Sequence, residues 1–133
     1  MNMSLAIEYR KGTLGDVSRL KFAEGLSVSG ESVEFNVLGM GHEYWIAVQA
    51  NSAIGIIILD KGSQFELRIM HLEVAPSRKN EGVGSSLLQK VIENYPDRMI
   101  YVIPFEGTEE FYRHLGFTKL SRWEMRREPH LTK

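Results

Sequence analysis

The stretch from Val74 to Leu88, V-A-P-S-R-K-N-E-G-V-G-S-S-L-L, constrains the fold more than any other part of the chain. An apolar strand ending at Val74 passes through a proline-bearing basic loop, meets Gly82 and Gly84, and enters an amphipathic helix. Without a Cβ at either glycine, the backbone there can approach a ligand closely. The first N–H groups of the helix have no intrahelical partner, and the helix dipole favours negative charge at that end. Arg78 and Lys79 add positive charge at the same place. A strand and a helix are therefore expected to share a core, with a phosphate-bearing ligand at their junction; an ordinary strand-to-helix connection with two glycines is the alternative.

The helix carries Val83, Leu87, Leu88, Val91, Ile92 and Tyr95 at helical spacing, one apolar stripe that pins it to a core, and Pro96 marks its stop. Rival phosphate loops do not match. A P-loop needs Gly, four residues and Gly-Lys-Ser/Thr, and no such string occurs. A dinucleotide fingerprint needs a third glycine where Leu87 stands.

A chain of 133 residues has room for one compact domain, spanning residues 1–133. A net charge of −1 argues against a broad nucleic-acid surface. The longest apolar run, Ala53 to Leu59, suits a buried strand and is too short for a membrane span, and the N-terminus lacks the apolar centre of a signal peptide. With no cysteine there is no disulfide, thiolate metal site or cysteine nucleophile, which is compatible with a cytoplasmic address. His42, His114 and His130 show no metal-ligand spacing, so no metal is expected.

Along the chain, Ala6 to Lys11 alternates as a first strand. Thr13-Leu14-Gly15-Asp16 resembles a capping box, opening a helix that carries Val17, Leu20 and Phe22 and ends near Gly25. Ser29 or Gly30 caps a second helix through Val33, Phe35, Val37 and Leu38. Glu43 to Gln49 and Ala53 to Asp60 read as a hairpin around Asn51-Ser52, the second strand being apolar on both faces and hence central. The strand Gln64 to Val74 then shows a slip of phase. Phe65, Leu67 and Ile69 share one parity, Leu72 and Val74 the other, so one extra residue is expected as a β-bulge near Met70-His71. Two shorter strands are the alternative. Arg98 to Pro104 forms a further strand, Glu106 to His114 a helix, and Phe117 to Leu120 with Ser121 to Arg127 a closing hairpin. The whole is an α/β (α+β) pattern.

Two strings in order now carry a resemblance. Lys79-Asn80-Glu81-Gly82-Val83-Gly84 resembles the acyl-CoA-binding motif of the GNAT superfamily of coenzyme A-dependent N-acyltransferases, with Lys79 where Gln or Arg is usual and Glu81 as an acid inside the loop. Phe111-Tyr112-Arg113-His114-Leu115-Gly116-Phe117 resembles a second signature of that family. Similarity runs from about Ala53 to Arg127. It implies a mixed, largely antiparallel twisted sheet of about six to seven strands with about four helices, its central strand bulged and splayed where the acyl-pantetheine arm lies.

The activity so implied is transfer of an acetyl group from acetyl-CoA to a primary amine by direct attack in a ternary complex. The implied donor-binding residues are Leu72, Val74, Arg78, Lys79, Asn80, Glu81, Gly82, Val83, Gly84 and Ser85, with backbone N–H groups around Leu72 to Val74 facing the thioester oxygen. If Leu72 and Val74 face the core, Glu73 and His71 face the other way; Glu73 is the first candidate for the base and His71 the second, with a water molecule as the alternative to both. Tyr112 matches the tyrosine that many members aim at the coenzyme A sulfur, where a hydroxyl suits a departing thiolate. The expected partner is a small-molecule or peptide amine, with no nucleic acid and no membrane; small domains of this family often pair as homodimers. Two other readings stay open: a catalytically silent acyl-CoA-binding module on the same fold, and a phosphate-binding domain unrelated to coenzyme A.

Overall fold

The computed structural model describes residues 6–129. The expectations resting on Met1 to Leu5 and on His130 lie outside the described residues. Eight strands and four α-helices follow in the order β1 (Glu8–Lys11), α1 (Leu14–Arg19), β2 (Lys21–Phe22), α2 (Gly30–Met40), β3 (Glu43–Gln49), β4 (Ser52–Ser63), β5 (Glu66–Val74), α3 (Val83–Asn94), β6 (Met99–Val102), α4 (Glu109–His114), β7 (Thr118–Lys119) and β8 (Met125–Arg127), with a 3-10 turn at Pro76–Arg78. All strands join one sheet ordered β1-β3-β4-β5-β6-β8-β7, and β2 pairs with β4. Only β2–β4 and β5–β6 are parallel. The expected largely antiparallel mixed sheet with four helices is what forms.

The β3–β4 hairpin turns at Ala50 and Asn51, both in the left-handed region (φ 51° and 62°), one residue earlier than the sequence suggests. Two positive φ values match the right-handed twist of the flanking strands. β4 is central: Ala53, Ile54 and Ile56 to Leu59 are all buried. One of its faces packs Ile57 and Leu59 under α3 with Leu67, Ile69, Leu87, Leu88, Val91, Ile100 and Phe117. The other packs Ile56 and Ile58 under α1 and α2 with Tyr44, Ile46 and Val33. Gly55 lets α3 come close, since a Cβ there would meet Val83 Cγ1 at 3.1 Å. The α3 stripe is as expected, with Val83, Leu87, Leu88, Val91 and Ile92 buried, each side chain contributing roughly 1.5–3 kcal/mol.

Four expectations need correcting. The first helix stops at Arg19, because Lys21 and Phe22 pair with Ser52 and Ala53 of β4 instead of continuing it. Phe65 is exposed (68%), sitting in the turn before β5 and not in the core row of Leu67 and Ile69. The fourth helix begins at Glu109, the preceding residues being held in a turn by the bond from Thr108 N–H to the Phe105 carbonyl. Phe35 and Leu38 point outward from α2, 64% and 65% exposed, while Val33 alone is buried.

The capping box forms as read. Thr13 accepts from Asp16 N–H, and the Asp16 carboxylate accepts from Thr13 N–H at 2.8 Å. Asp16 is fully buried and also takes both Arg10 terminal nitrogens, at 2.8 and 2.9 Å. The Arg10 guanidinium, more than any other neighbour, holds its carboxyl well below the usual carboxylate range. Asp16→Asn should cost about 2 kcal/mol in urea unfolding, less than the roughly 3–5 kcal/mol of a fully buried pair because Arg10 keeps 29% of its side chain exposed. A depressed native pKa means the contribution is complete above the unfolded value and lost as pH falls through the acid range. The stability gap between wild type and Asp16→Asn should therefore narrow as pH drops from about 5 toward 2.

Candidate active site

The site begins with one inserted residue. In the β4–β5 ladder Ile58 faces His71 and Leu59 faces Ile69, so Met70 is the unpaired bulge residue that the phase slip predicts. Leu67 and Ile69 before it, and Leu72 after it, consequently pack on the same α3-side core. β6 follows β5 only from Glu66↔Met99 to Ile69↔Val102, while β5 continues to Val74. Past the bulge the two parallel strands part. Ala75 N–H bonds Ile54 O on β4, so by strand alternation the N–H groups of Leu72 and Val74 point the other way, into the opening.

The opening continues into a cavity of about 630 Å³. One end is the cradle: Arg78, Lys79, Asn80, Gly82, Val83, Gly84 and Ser85. Gly82 is the residue before α3 and adopts φ +80°, and Ser86 N–H is the first to bond back, to the Gly82 carbonyl. The N–H groups of Val83, Gly84 and Ser85 therefore have no intrahelical acceptor. A Cβ on Gly84 would lie 3.4 Å from Val74 and 3.6 Å from Phe111, inside the cavity wall. Arg78 is committed sideways, donating to Gln49 Oε1 at 2.6 Å and Glu81 Oε1 at 3.0 Å. Glu81 is thus turned away from the lining, and Lys79 is the cation at the cradle without an ion-pair partner among the described residues.

At the other end stand His71, Glu73 and Ser27, with Leu72 and Val74 between the two ends. Glu73 accepts from Ser27 N–H (2.9 Å) and Ser27 Oγ (2.9 Å), and its Oε1 lies 3.2 Å from His71 Nε2. Burial pushes the Glu73 carboxyl up, but the bonds from His71 and Ser27 outweigh it and hold the pKa below the usual value. An ionised carboxylate only accepts. In this contact His71 Nε2 is therefore the donor and the Glu73 carboxylate the acceptor. Ser27 was not foreseen; it lies on the segment between β2 and α2, far from Glu73 in sequence, and no spacing signals it.

Tyr112 lines the middle of the cavity, packed edge-on against Phe111 (5.0 Å) and Phe117 (5.4 Å). No described residue bonds its hydroxyl, and burial pushes its pKa up to about 12. Phe105, 72% exposed on the rim, is a second lining residue that the sequence left unmarked. Among the described residues no cluster of three or more His, Cys, Asp or Glu could hold a metal ion, and no helix is long and apolar enough to cross a membrane.

The family profile described as "Acetyltransferase (GNAT) domain" matches residues 40–119, more than half of the chain. An uncharacterized N-acetyltransferase in the lysA 3′ region of Bacillus methanolicus is 33% identical over 58 residues, a match that spans 44% of this chain and 44% of that protein. Among solved structures, Ard1 from Thermoplasma volcanium superposes with a TM-score of 0.74 at 19% identity, covering 96% of this chain and 100% of its own. The ribosomal-protein-S18-alanine N-acetyltransferase from Escherichia coli gives 0.72 at 14%, covering 96% and 97%. A GNAT family acetyltransferase from Elizabethkingia anophelis with acetyl-CoA bound gives 0.64 at 16%, covering 92% and 97%. At such identities these likenesses are of fold.

The cradle makes a direct prediction. Gly84→Ala should fold normally, since the added methyl meets its neighbours at contact distance, whereas Gly84→Val should fill the cavity and abolish binding of a phosphate-bearing ligand in calorimetry. Gly82→Ala should cost about 1 kcal/mol in chemical denaturation, through its left-handed backbone alone.

Proposed function

The chain belongs to the GNAT acetyltransferase family, and from that premise we propose that it moves an acetyl group from acetyl-CoA to a primary amine of an acceptor by direct attack in a ternary complex. The observation that carries this reading is one continuous cavity with a free helix N-terminus and Lys79 at one end, His71 and Glu73 at the other, and Tyr112 between. That order matches the order of the donor's own parts: pyrophosphate, pantetheine arm, thioester.

In this reading the amides of Val83 to Ser85 and the Lys79 ammonium hold the pyrophosphate. The pantetheine arm lies in the opening between β5 and β6, against Leu72 and Val74, whose N–H groups polarise the thioester carbonyl. The acceptor amine, once deprotonated, attacks that carbon; the N–C bond forms and the C–S bond breaks. Nδ1 of His71 takes the amine proton. Glu73 is the positioning residue for His71: its lowered pKa makes it a weak proton acceptor and a strong anchor for the ring. The Tyr112 hydroxyl, with its pKa near 12, stays protonated through the working range and gives its proton to the departing thiolate. The absence of cysteine fits a cytoplasmic setting and leaves no thiol for an acyl-enzyme route.

A second reading has one observation in its favour. Arg78 is drawn off by Gln49 and Glu81, so the cradle holds its anion with less charge than the loop's composition suggests, which fits a silent acyl-CoA-binding module.

Calorimetric titration with acetyl-CoA, with ATP and NAD as controls, separates these ideas. Micromolar binding selective for acetyl-CoA, with thiol release once an amine is added, is the expected outcome. Binding without release supports the silent module, and equal binding of ATP removes coenzyme A from the account. Tyr112→Phe should lower kcat by about 10²-fold while acetyl-CoA affinity stays within about twofold. His71→Asn should lower kcat comparably, and Glu73→Gln, which keeps the size of the side chain and removes its charge, should lower it less.

A further inference from the structure

Several donors converge on one oxygen at the head of the cavity. Glu73 Oε1 accepts from Ser27 N–H at 2.9 Å, from the Ser27 hydroxyl at 2.9 Å and from His71 Nε2 at 3.2 Å. Glu73 Oε2 accepts the longer branch of the same Ser27 N–H, at 3.1 Å. Ser27, His71 and Glu73 all line the cavity. The bonds from Ser27 to Oε1 are the shorter ones, and hydrogen bonds to an ionised carboxylate are about twice as strong as those between neutral groups. A glutamate side chain has several torsions to order, a cost that the longer contact with His71 offsets poorly by itself. The carboxylate accordingly takes its position from Ser27, and the imidazole is steadied against it.

Ser27 brings these donors from chain that is fastened on both sides. Before it, Ala23 N–H bonds the Ala53 carbonyl of β4 at 3.0 Å, and Gly25 lies against the Pro76 ring, where a Cβ would come within 2.7 Å. After it, Val28 is buried in the core beneath α1 and α2, and Ser29 opens α2 by accepting from Ser32 N–H at 3.2 Å. The segment between β2 and α2 is thus held in place without Glu73. Its contact with Glu73 acts on the carboxylate more than on the segment.

We propose that Ser27 is a positioning residue for acetyl transfer: it fixes the Glu73 carboxylate and, through it, the His71 ring at the acceptor end of the cavity. The inference rests on the acetyl-transfer reading of the preceding subsection and adds to it a residue with no chemical step of its own. Removing the Ser27 hydroxyl leaves His71 and Glu73 in the site and loosens the geometry between them. The loss should therefore fall on turnover and not on donor binding.

The test measures thiol release from acetyl-CoA with Gly-Gly amide, Nα-acetyl-lysine amide and spermidine as probe amines. Ser27→Ala should lower kcat by about tenfold, the effect of losing one hydrogen bond to a charged group, while calorimetric affinity for acetyl-CoA, which also reports folding, stays within about twofold. Ser27→Thr keeps a hydroxyl and should recover most of the lost turnover. In a Glu73→Ala background there is no carboxylate to hold, so Ser27→Ala should add no further loss. Imidazole 15N spectra of the free protein supply a readout that a merely structural role would not move: Ser27→Ala should shift the ring nitrogens of His71 and leave those of the other histidines in place. An unchanged kcat, a loss that appears in acetyl-CoA affinity instead, a loss that persists in the Glu73→Ala background, or unmoved His71 signals overturns the positioning role alone. Acetyl-CoA binding without turnover of any probe amine overturns the transfer reading, and failure of the wild type to bind acetyl-CoA overturns the donor reading; either takes this inference with it.

Discussion

One unpaired residue governs the architecture. Because side chains alternate along a strand, inserting Met70 into β5 is what lets Leu67, Ile69 and Leu72 all reach the same core while the strand changes course. The change of course takes β5 away from β6 after Ile69, and every later feature of the site lies in that gap. Two strands that stayed paired would satisfy more backbone groups, and there would be nowhere for a ligand to lie. Among the described residues the N–H groups of Leu72 and Val74 are left without a strand partner, a cost normally avoided in a sheet interior.

The cavity is assembled from segments that each had an independent reason to be where they are. α3 is placed by its apolar stripe and by the close approach that Gly55 allows, and its N-terminus falls beside the opening as a result. Tyr112 is placed by edge-on packing with Phe111 and Phe117. Glu73 is turned off the core by parity and then caught by Ser27. Charge is distributed with the same economy: the cradle relies on amides and Lys79, while Arg78 braces the loop through Gln49 and Glu81.

What was legible in the sequence was whatever repeats or breaks a period. The bulge announced itself as a slip of parity, α3 as a stripe, the Thr13–Asp16 cap as a spacing, and the entry into α3 as Gly82. What was not legible depended on partners far along the chain. The two-residue strand β2 exists because Lys21 and Phe22 find β4, and nothing local distinguishes it from the end of α1. The Ser27–Glu73 contact and the Arg68–Glu124 pair join residues 46 and 56 positions apart, so no window of sequence contains them. Hydrophobicity misled at Phe65, Phe35 and Leu38, where an apolar residue fits the local period yet faces solvent.

α3 is fastened at both ends. Its first turn forms the cradle, and Tyr95, which caps its last turn, bonds its hydroxyl to the buried Glu43 carboxylate, which also takes the Trp45 indole N–H at 2.9 Å. Twelve residues of helix make a rod about 18 Å long between those anchorages. The rod is stiff, so it works as a lever with its fulcrum on β4. The polar cluster at Glu43 thus holds the far end of the same rod whose first turn faces the opening.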